Sequence, residues 1–201
     1  MARRSEHSQE QIREMVLSAA EKIVVERGFD GLTMRRIAGR IGYTVGSIYM
    51  VFQNMADLVL HINALTLDQM AEQLKHAVLT DEETYLELYA KTYLHYAHNN
   101  LNRWRLIFEF RLPDEAEVPT WYQAKVDAIF KHVEEQFTAL SEHASEDEKR
   151  QAARTLWAGV HGVCSLSLNG TLGTVGINDV DTSVVLLTRS FLLGWTQKHK
   201  S

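Results

Sequence analysis

The residues able to do chemistry gather near the N-terminus of this 201-residue chain. The stretch RIGYTVGSIYMVFQNM, from Arg40 to Met55, places hydroxyls at Thr44, Ser47 and Tyr49, and Thr33 lies a little ahead of it. From Gly31 to Ala56 there is no acidic residue, while Arg35, Arg36 and Arg40 supply positive charge. Hydroxyls and guanidinium groups free of competing carboxylates suit hydrogen bonds to phosphate oxygens and to base edges. Gly46, in their midst, permits close backbone approach. Elsewhere the charge reverses. Residues 1–60 carry eight basic against seven acidic residues, the remainder thirteen against nineteen, and the whole chain has a net charge of -5. An acidic body with one acid-free basic patch argues against a general nucleic-acid coat.

Other chemistry is less well supplied. His161 and Cys164 stand three apart, a spacing open to a nucleophile pair or half a metal site, but their flanks are apolar and there is no second cysteine. A reactive thiol needs an accessible, electropositive setting. His61, His76, His95 and His98 make a metal site only if folding gathers them. The expectation is therefore no enzyme, no catalytic set, no metal and no cofactor. A single cysteine forbids a disulfide within the chain and suits the cytosol. No uncharged apolar stretch reaches the roughly 18 residues that span a bilayer. The nearest, Val160 to Ile177, is interrupted by His161, Asn169 and glycines. The start, MARRSEHSQEQ, is charged and is not followed by a signal-type apolar run. The expected protein is soluble and cytoplasmic, with no membrane partner.

These residues need elements to hold them, and the pattern is helical throughout. Two prolines and eleven glycines are few breakers, and 45% hydrophobic residues suffice for a sizeable core. Ser8-x-x-Gln11 reads as a capping box, followed by Ile12, Met15, Val16, Ala19, Ile23 and Val24 at helical spacing and stopped by Gly28. Phe29 and Leu32 are expected to pack back on it. Thr33 caps a short helix ending at Gly42, Thr44 caps another, and Asn54 with Asp57 opens a third that runs to about Val78. Thr80-x-x-Glu83 predicts the start of the next helix, and Asn99-Asn100 a break. LPDEAEVP is a loop before a helix from Trp121 to about Leu140. Ser145-x-x-Glu148 opens a helix reaching about Leu168. A glycine-rich link precedes a last helix from about Asp181 to Gln197. No period-2 strand is evident, so the fold class is all-α.

Two short helices joined by a glycine turn must pack on the first helix, through Ile37, Ala38, Ile48 and Phe52. That leaves the start of the second short helix free, and a major groove about 12 Å wide admits such a helix. The segment TMRRIAGRIGYTVGSIYMVFQNMADLV, with Thr33, Ile37, Ala38, Gly42, Thr44, Gly46, Tyr49 and Phe52 in pattern, resembles the DNA-binding segment of the tetracycline-repressor (TetR) family. The resemblance covers residues 8–60. It implies an N-terminal three-helix helix-turn-helix DNA-binding domain, expected over 1–54, and a larger helical domain for ligand binding and dimerisation over 55–201. It implies phosphate contacts from Thr33, Thr44 and Tyr49, with Arg35, Val45, Gly46 and Ser47 where bases or their flanks are read. Relatives commonly carry a lysine on phosphate at the place of Met55, so Met55 joins the expected DNA-binding set.

Trp157, His161 and Gly162 form a Trp-x-x-x-His-Gly arrangement similar to one C-terminal subclass of the family. On one reading His161 faces a ligand cavity; on the other it is a core histidine satisfied by a neighbour. The aromatic residues Tyr93, Trp104, Phe108, Trp121 and Trp157, with His161, are the expected ligand-binding set, for an apolar or aromatic effector. The run Val184 to Trp195 is apolar almost all round, which calls for burial on both sides. The expected homodimer interface is therefore Leu156, Val160, Val184, Leu187, Phe191 and Trp195. Two-fold symmetry would present two recognition helices to a palindromic double-stranded operator. The overall expectation is a transcriptional repressor released by its ligand. The alternative is a ligand-binding or scaffold protein with a degenerate DNA-binding head.

Overall fold

The computed structural model describes residues 7–79, 84–113, 116–141 and 143–199. Within them the chain is all-α. The helices are α1 (Gln9–Arg27), α2 (Met34–Ile41), α3 (Val45–Tyr49), α4 (Met55–Lys75), α5 (Tyr85–Asn99), α6 (Leu101–Glu109), α7 (Thr120–Leu140), α8 (Glu146–Leu168) and α9 (Val180–Lys198), with 3-10 turns at Phe29–Gly31 and Leu172–Val175. Local chemistry sets most of the ends. Ser8 and Gln11 form a reciprocal capping box on α1, as do Ser145 and Glu148 on α8. Thr33, Thr44 and Asp179 cap α2, α3 and α9 through their side-chain oxygens. Gly42 ends α2 at φ 73°, a left-handed conformation that favours glycine. The box expected at Thr80 and Glu83 lies outside the described residues. The described helix is opened by Thr84 and Glu87, one turn later.

The chain divides into two compact units, 1–66 with 102–122, and 67–101 with 123–201. The helix α4 belongs to both, and the first unit also takes in residues beyond 54 that the sequence assigns to the second domain. Its core is one cluster: Ile12, Val16, Ala20, Ile23 and Val24 of α1, Ile37 and Ala38 of α2, Ile48 of α3, Phe52, then Leu58, Val59 and Ile62 of α4, with Leu106 of α6. Leu32 is buried as expected, but Phe29 is 40% exposed and meets Phe110 edge-on at 5.4 Å. The Arg13 guanidinium lies 4.4 Å from the Phe52 ring centroid and donates to the Val51 carbonyl at 2.7 Å. This fastens the end of the short-helix pair to α1.

In the second unit α5, α8 and α9 pack pairwise on one another. Phe137 of α7 is fully buried, with Trp195 at 5.2 Å and Phe191 at 6.1 Å. Glu87 is buried and accepts from the Arg189 side chain. Burial raises its carboxyl, but the Thr84 N–H, the Arg189 side chain and the Thr84 hydroxyl outweigh that and hold it below the usual range.

Candidate nucleic-acid interface

Burial sorts α2 and α3 into two faces. Ile37, Ala38, Ile48 and Phe52 turn into the core, and Thr33, Arg35, Thr44, Gly46 and Tyr49 are exposed. Val45, Ser47 and Met55 are half-buried. The hydroxyls are prepared for a partner. Thr33 accepts the Arg36 N–H at 3.2 Å, so its own hydrogen is left to donate. Thr44 accepts the Ser47 N–H at 3.2 Å, and the Thr44 and Ser47 hydroxyls pair at 2.9 Å. Whichever of those two donates, one O–H remains for an outside acceptor. Tyr49 is 52% exposed. At Gly46 an added Cβ would meet only the Thr44 hydroxyl, at 3.7 Å. The chain itself therefore leaves room for a side chain there.

The three arginines of the acid-free stretch do not act alike. Arg40 makes a bidentate pair with Glu26, at 2.7 and 2.8 Å. Arg36 donates to the Gly31 carbonyl. Arg35 alone of the three has no partner among the described residues. Met55 is the first residue of α4, and its side chain packs on the core cluster. A methionine is at home there because the contact is apolar.

Three neighbours of this surface escape a reading of the sequence. Met50, next to Tyr49, is 66% exposed. Tyr43, in the turn, receives His7 Nδ1 at 2.7 Å from its hydroxyl. Arg13 holds Phe52 from α1. Only Met50 carried a local signal, as an apolar residue beside a recognition-helix tyrosine. The other two depend on contacts 36 to 38 residues apart in sequence.

The expected ligand set is split between the units. Trp104, Phe108 and Trp121 fall in the first. There Trp104 is buried against Phe108 at 4.9 Å, and Trp121 stacks on His61 at 4.6 Å. Tyr93, Trp157 and His161 fall in the second and do come together. The Tyr93 hydroxyl and His161 Nδ1 are 2.8 Å apart, and Trp157 lies 5.2 Å from the imidazole. Desolvation pushes His161 down, which favours the neutral ring. A crevice of about 10 Å³ lies beside Tyr93, between Met70, Gln73, Leu74, Thr92 and Tyr96. Ligand sites run to about 300–1,000 Å³, so this crevice is closed to one. Burial raises the Cys164 thiol to about 12, which leaves it protonated and unreactive. No group of three His, Cys, Asp or Glu is placed to hold a metal among the described residues.

Four of the six expected dimer residues need correcting. Leu156, Val160, Val184 and Trp195 are buried in their own chain. Leu187 packs against Gly159, where a Cβ would come within 3.0 Å, and Phe191 meets Phe137. The residues left outside are Leu186 at 65%, Leu193 at 73% and Leu166 at 48% exposure, with open space over Gly162 and Gly194. Four of the six residues expected to face a partner thus lie on the inner side of α8 and α9, and Leu187 and Phe191 are half-buried.

A helical unit built around a capped helix-turn-helix, with a hydroxyl-rich exposed face, defines a DNA-binding regulator. The family of bacterial regulatory proteins, tetR family, matches residues 16–62. A tetracyclin repressor-like C-terminal domain matches residues 86–191. The chain belongs to the tetR family of transcriptional regulators. Among solved structures, a protein with unknown function from Rhodococcus sp. RHA1 superposes at TM-score 0.72, with 19% identity over 96% of this chain and 98% of that one. A TetR variant from Acinetobacter baumannii AYE in complex with minocycline gives 0.62, with 19% identity over 92% and 97%. The multidrug binding protein EbrR complexed with imidazole gives 0.59, with 22% identity over 88% and 93%. At these identities the likeness is one of fold. Comparison with curated proteins finds no match. No helix among the described residues is long and apolar enough to cross a membrane.

Proposed function

We propose that the protein is a homodimeric repressor that grips a palindromic operator through α2 and α3 and is released by a small apolar or aromatic ligand. One observation carries the reading. The donors Thr33, Thr44, Ser47, Tyr49 and Arg35 lie on the surface of α2 and α3, while the apolar residues of the same helices are consumed by the core. A helix pair with no function on that side has no need of spare O–H donors around a glycine with open space. Thr33, Thr44 and Tyr49 serve as phosphate contacts. Arg35, Val45, Gly46 and Ser47 lie against the bases. Met55 brings the amino end of α4, where the positive end of the helix dipole favours an anion without any charge on residue 55 itself.

The dimer forms through the outer faces of α8 and α9, around Leu166, Leu186 and Leu193. Gly162 and Gly194 allow a partner helix to approach there. The ligand enters beside Tyr93, Trp157 and His161 and must part side chains to do so. An aromatic molecule with one hydrogen-bonding group suits a neutral imidazole beside a phenol and an indole. Minocycline and imidazole in the two neighbours support a small-molecule site of this general kind. Ligand would shift the population away from the DNA-competent spacing of the two heads. The test is selection of duplexes from a random pool by the purified protein. An enriched inverted repeat is the expected result, and a pool that stays random would refute the reading.

A further inference from the structure

We propose that Trp121 and His61 form a clasp that sets the position of the recognition helix, so that both are positioning residues for DNA binding; this rests on the DNA-binding reading above. Three observations join in a chain. The indole of Trp121 lies 4.6 Å from the His61 imidazole, tilted by 35°. The same imidazole also meets Phe52, the residue closing the helix-turn-helix, edge-on at 5.5 Å and 76°. His61 Nδ1 lies 2.8 Å from the Asp57 carbonyl and 3.3 Å from its carboxylate. Both are acceptors, so Nδ1 carries a hydrogen, and the ring is held in one orientation. The Asp57 carboxylate in turn accepts the Gln53 N–H at 2.9 Å. The end of the recognition segment is thus tied to His61 twice, through Phe52 and through Asp57.

Trp121 is the outer member of this chain. Trp104, a core tryptophan of the same unit, is 4% exposed, whereas Trp121 keeps 38%. A residue so placed adds modestly to stability; besides His61 its indole meets the neighbouring Tyr122 ring, at 5.7 Å and 86°. It stands in the first turn of α7, an unbroken helix from Thr120 to Leu140 of which only the first three residues belong to the first unit. A displacement of the Trp121 indole would therefore reach His61, and from there Phe52 and Gln53, all within the first unit.

The test uses the full-length protein and a duplex recovered by selection. Trp121→Ala and His61→Ala should each weaken binding about tenfold, and the double variant no further, because either substitution opens the same clasp. Trp121→Phe keeps a ring on the imidazole and should stay within about threefold of wild type. Trp121→Ala should lower the thermal midpoint by no more than about 4 °C, a small loss for a chain of this size, and leave sedimentation unchanged. Additive losses, an unchanged affinity, or a failure of Trp121→Phe to rescue would overturn the clasp. So would losses of affinity matched by equal losses of stability. Loss of binding by Tyr49→Phe but not by Trp121→Ala would overturn the clasp alone. A wild type that selects no duplex would overturn the DNA reading and the clasp together.

Discussion

At Tyr49 a single oxygen separates a packing residue from a phosphate contact. The ring is half exposed and the core beneath it is closed by Ile48, which is fully buried. Tyr49→Phe should leave folding untouched and weaken binding to every duplex by about 1–2 kcal/mol, as a hydrogen bond to a charged acceptor is worth. Titration of labelled operator with both proteins measures it. Gly46 gives a sharper contrast. Alanine is a better helix former than glycine by about 0.5–1 kcal/mol, and its methyl meets nothing closer than 3.7 Å. Gly46→Ala should therefore raise the thermal midpoint while lowering operator affinity, because on the proposed reading the added methyl stands where the bases and their flanks approach. Equal or tighter binding would remove Gly46 from the interface. The hydroxyl set and Gly46 were legible in the sequence because caps and turns are local. The fates of Arg36 and Arg40 were not, since their partners, Gly31 and Glu26, lie in other elements.

Among the helices, local signals were read well wherever one capping pair stood alone. Ser8 with Gln11 and Ser145 with Glu148 are such cases. Thr80 with Glu83 and Thr84 with Glu87 have the same spacing, and the sequence offers no choice between them. The distant Arg189, which bonds Glu87, marks the described start. The amino end of α8 also bears on pH. The Glu148 carboxyl is held down from 4.5 to about 2, first by the Ser145 N–H, then by Lys198, the Ser145 hydroxyl and His199. A depressed carboxyl stabilises the fold above its unfolded value and loses that contribution as pH falls through the folded one. Glu148→Gln keeps a capping oxygen but drops the charge facing Lys198 and His199. It should unfold more easily than wild type at neutral pH, and the gap should close between about pH 4.5 and about 2. Thermal melts across that range measure it; a gap independent of pH would show that the charge contributes nothing.

For the molecule as a whole, α8 and α9 bury in their own chain four of the six residues expected to face a partner, Leu156, Val160, Val184 and Trp195. A helix apolar all round gives no periodic signal to say which side its own chain takes. The answer came from Phe137, Gly159 and the other residues that cover Val184, Leu187 and Trp195. The substitutions that separate the two faces are now clear. Leu186→Glu and Leu193→Glu, at 65% and 73% exposure, should give folded monomers, since an unpaired carboxylate in a dimer interface costs several kcal/mol. Sedimentation at micromolar concentration, with helix content as control, distinguishes this from unfolding. A variant that stays dimeric would place the interface elsewhere.

Operator selection from random duplexes bears most directly on the central claim that α2 and α3 present a DNA-reading surface twice in a symmetric dimer. The expected product is an inverted repeat whose half-site centres lie about one helical turn, or a multiple of about 10 bp, apart. Its affinity should fall with Tyr49→Phe, and it should no longer be recovered by the Leu186→Glu monomer. A pool that remains random after repeated rounds, or a recovered site bound equally well by the monomer and by Tyr49→Phe, would contradict it.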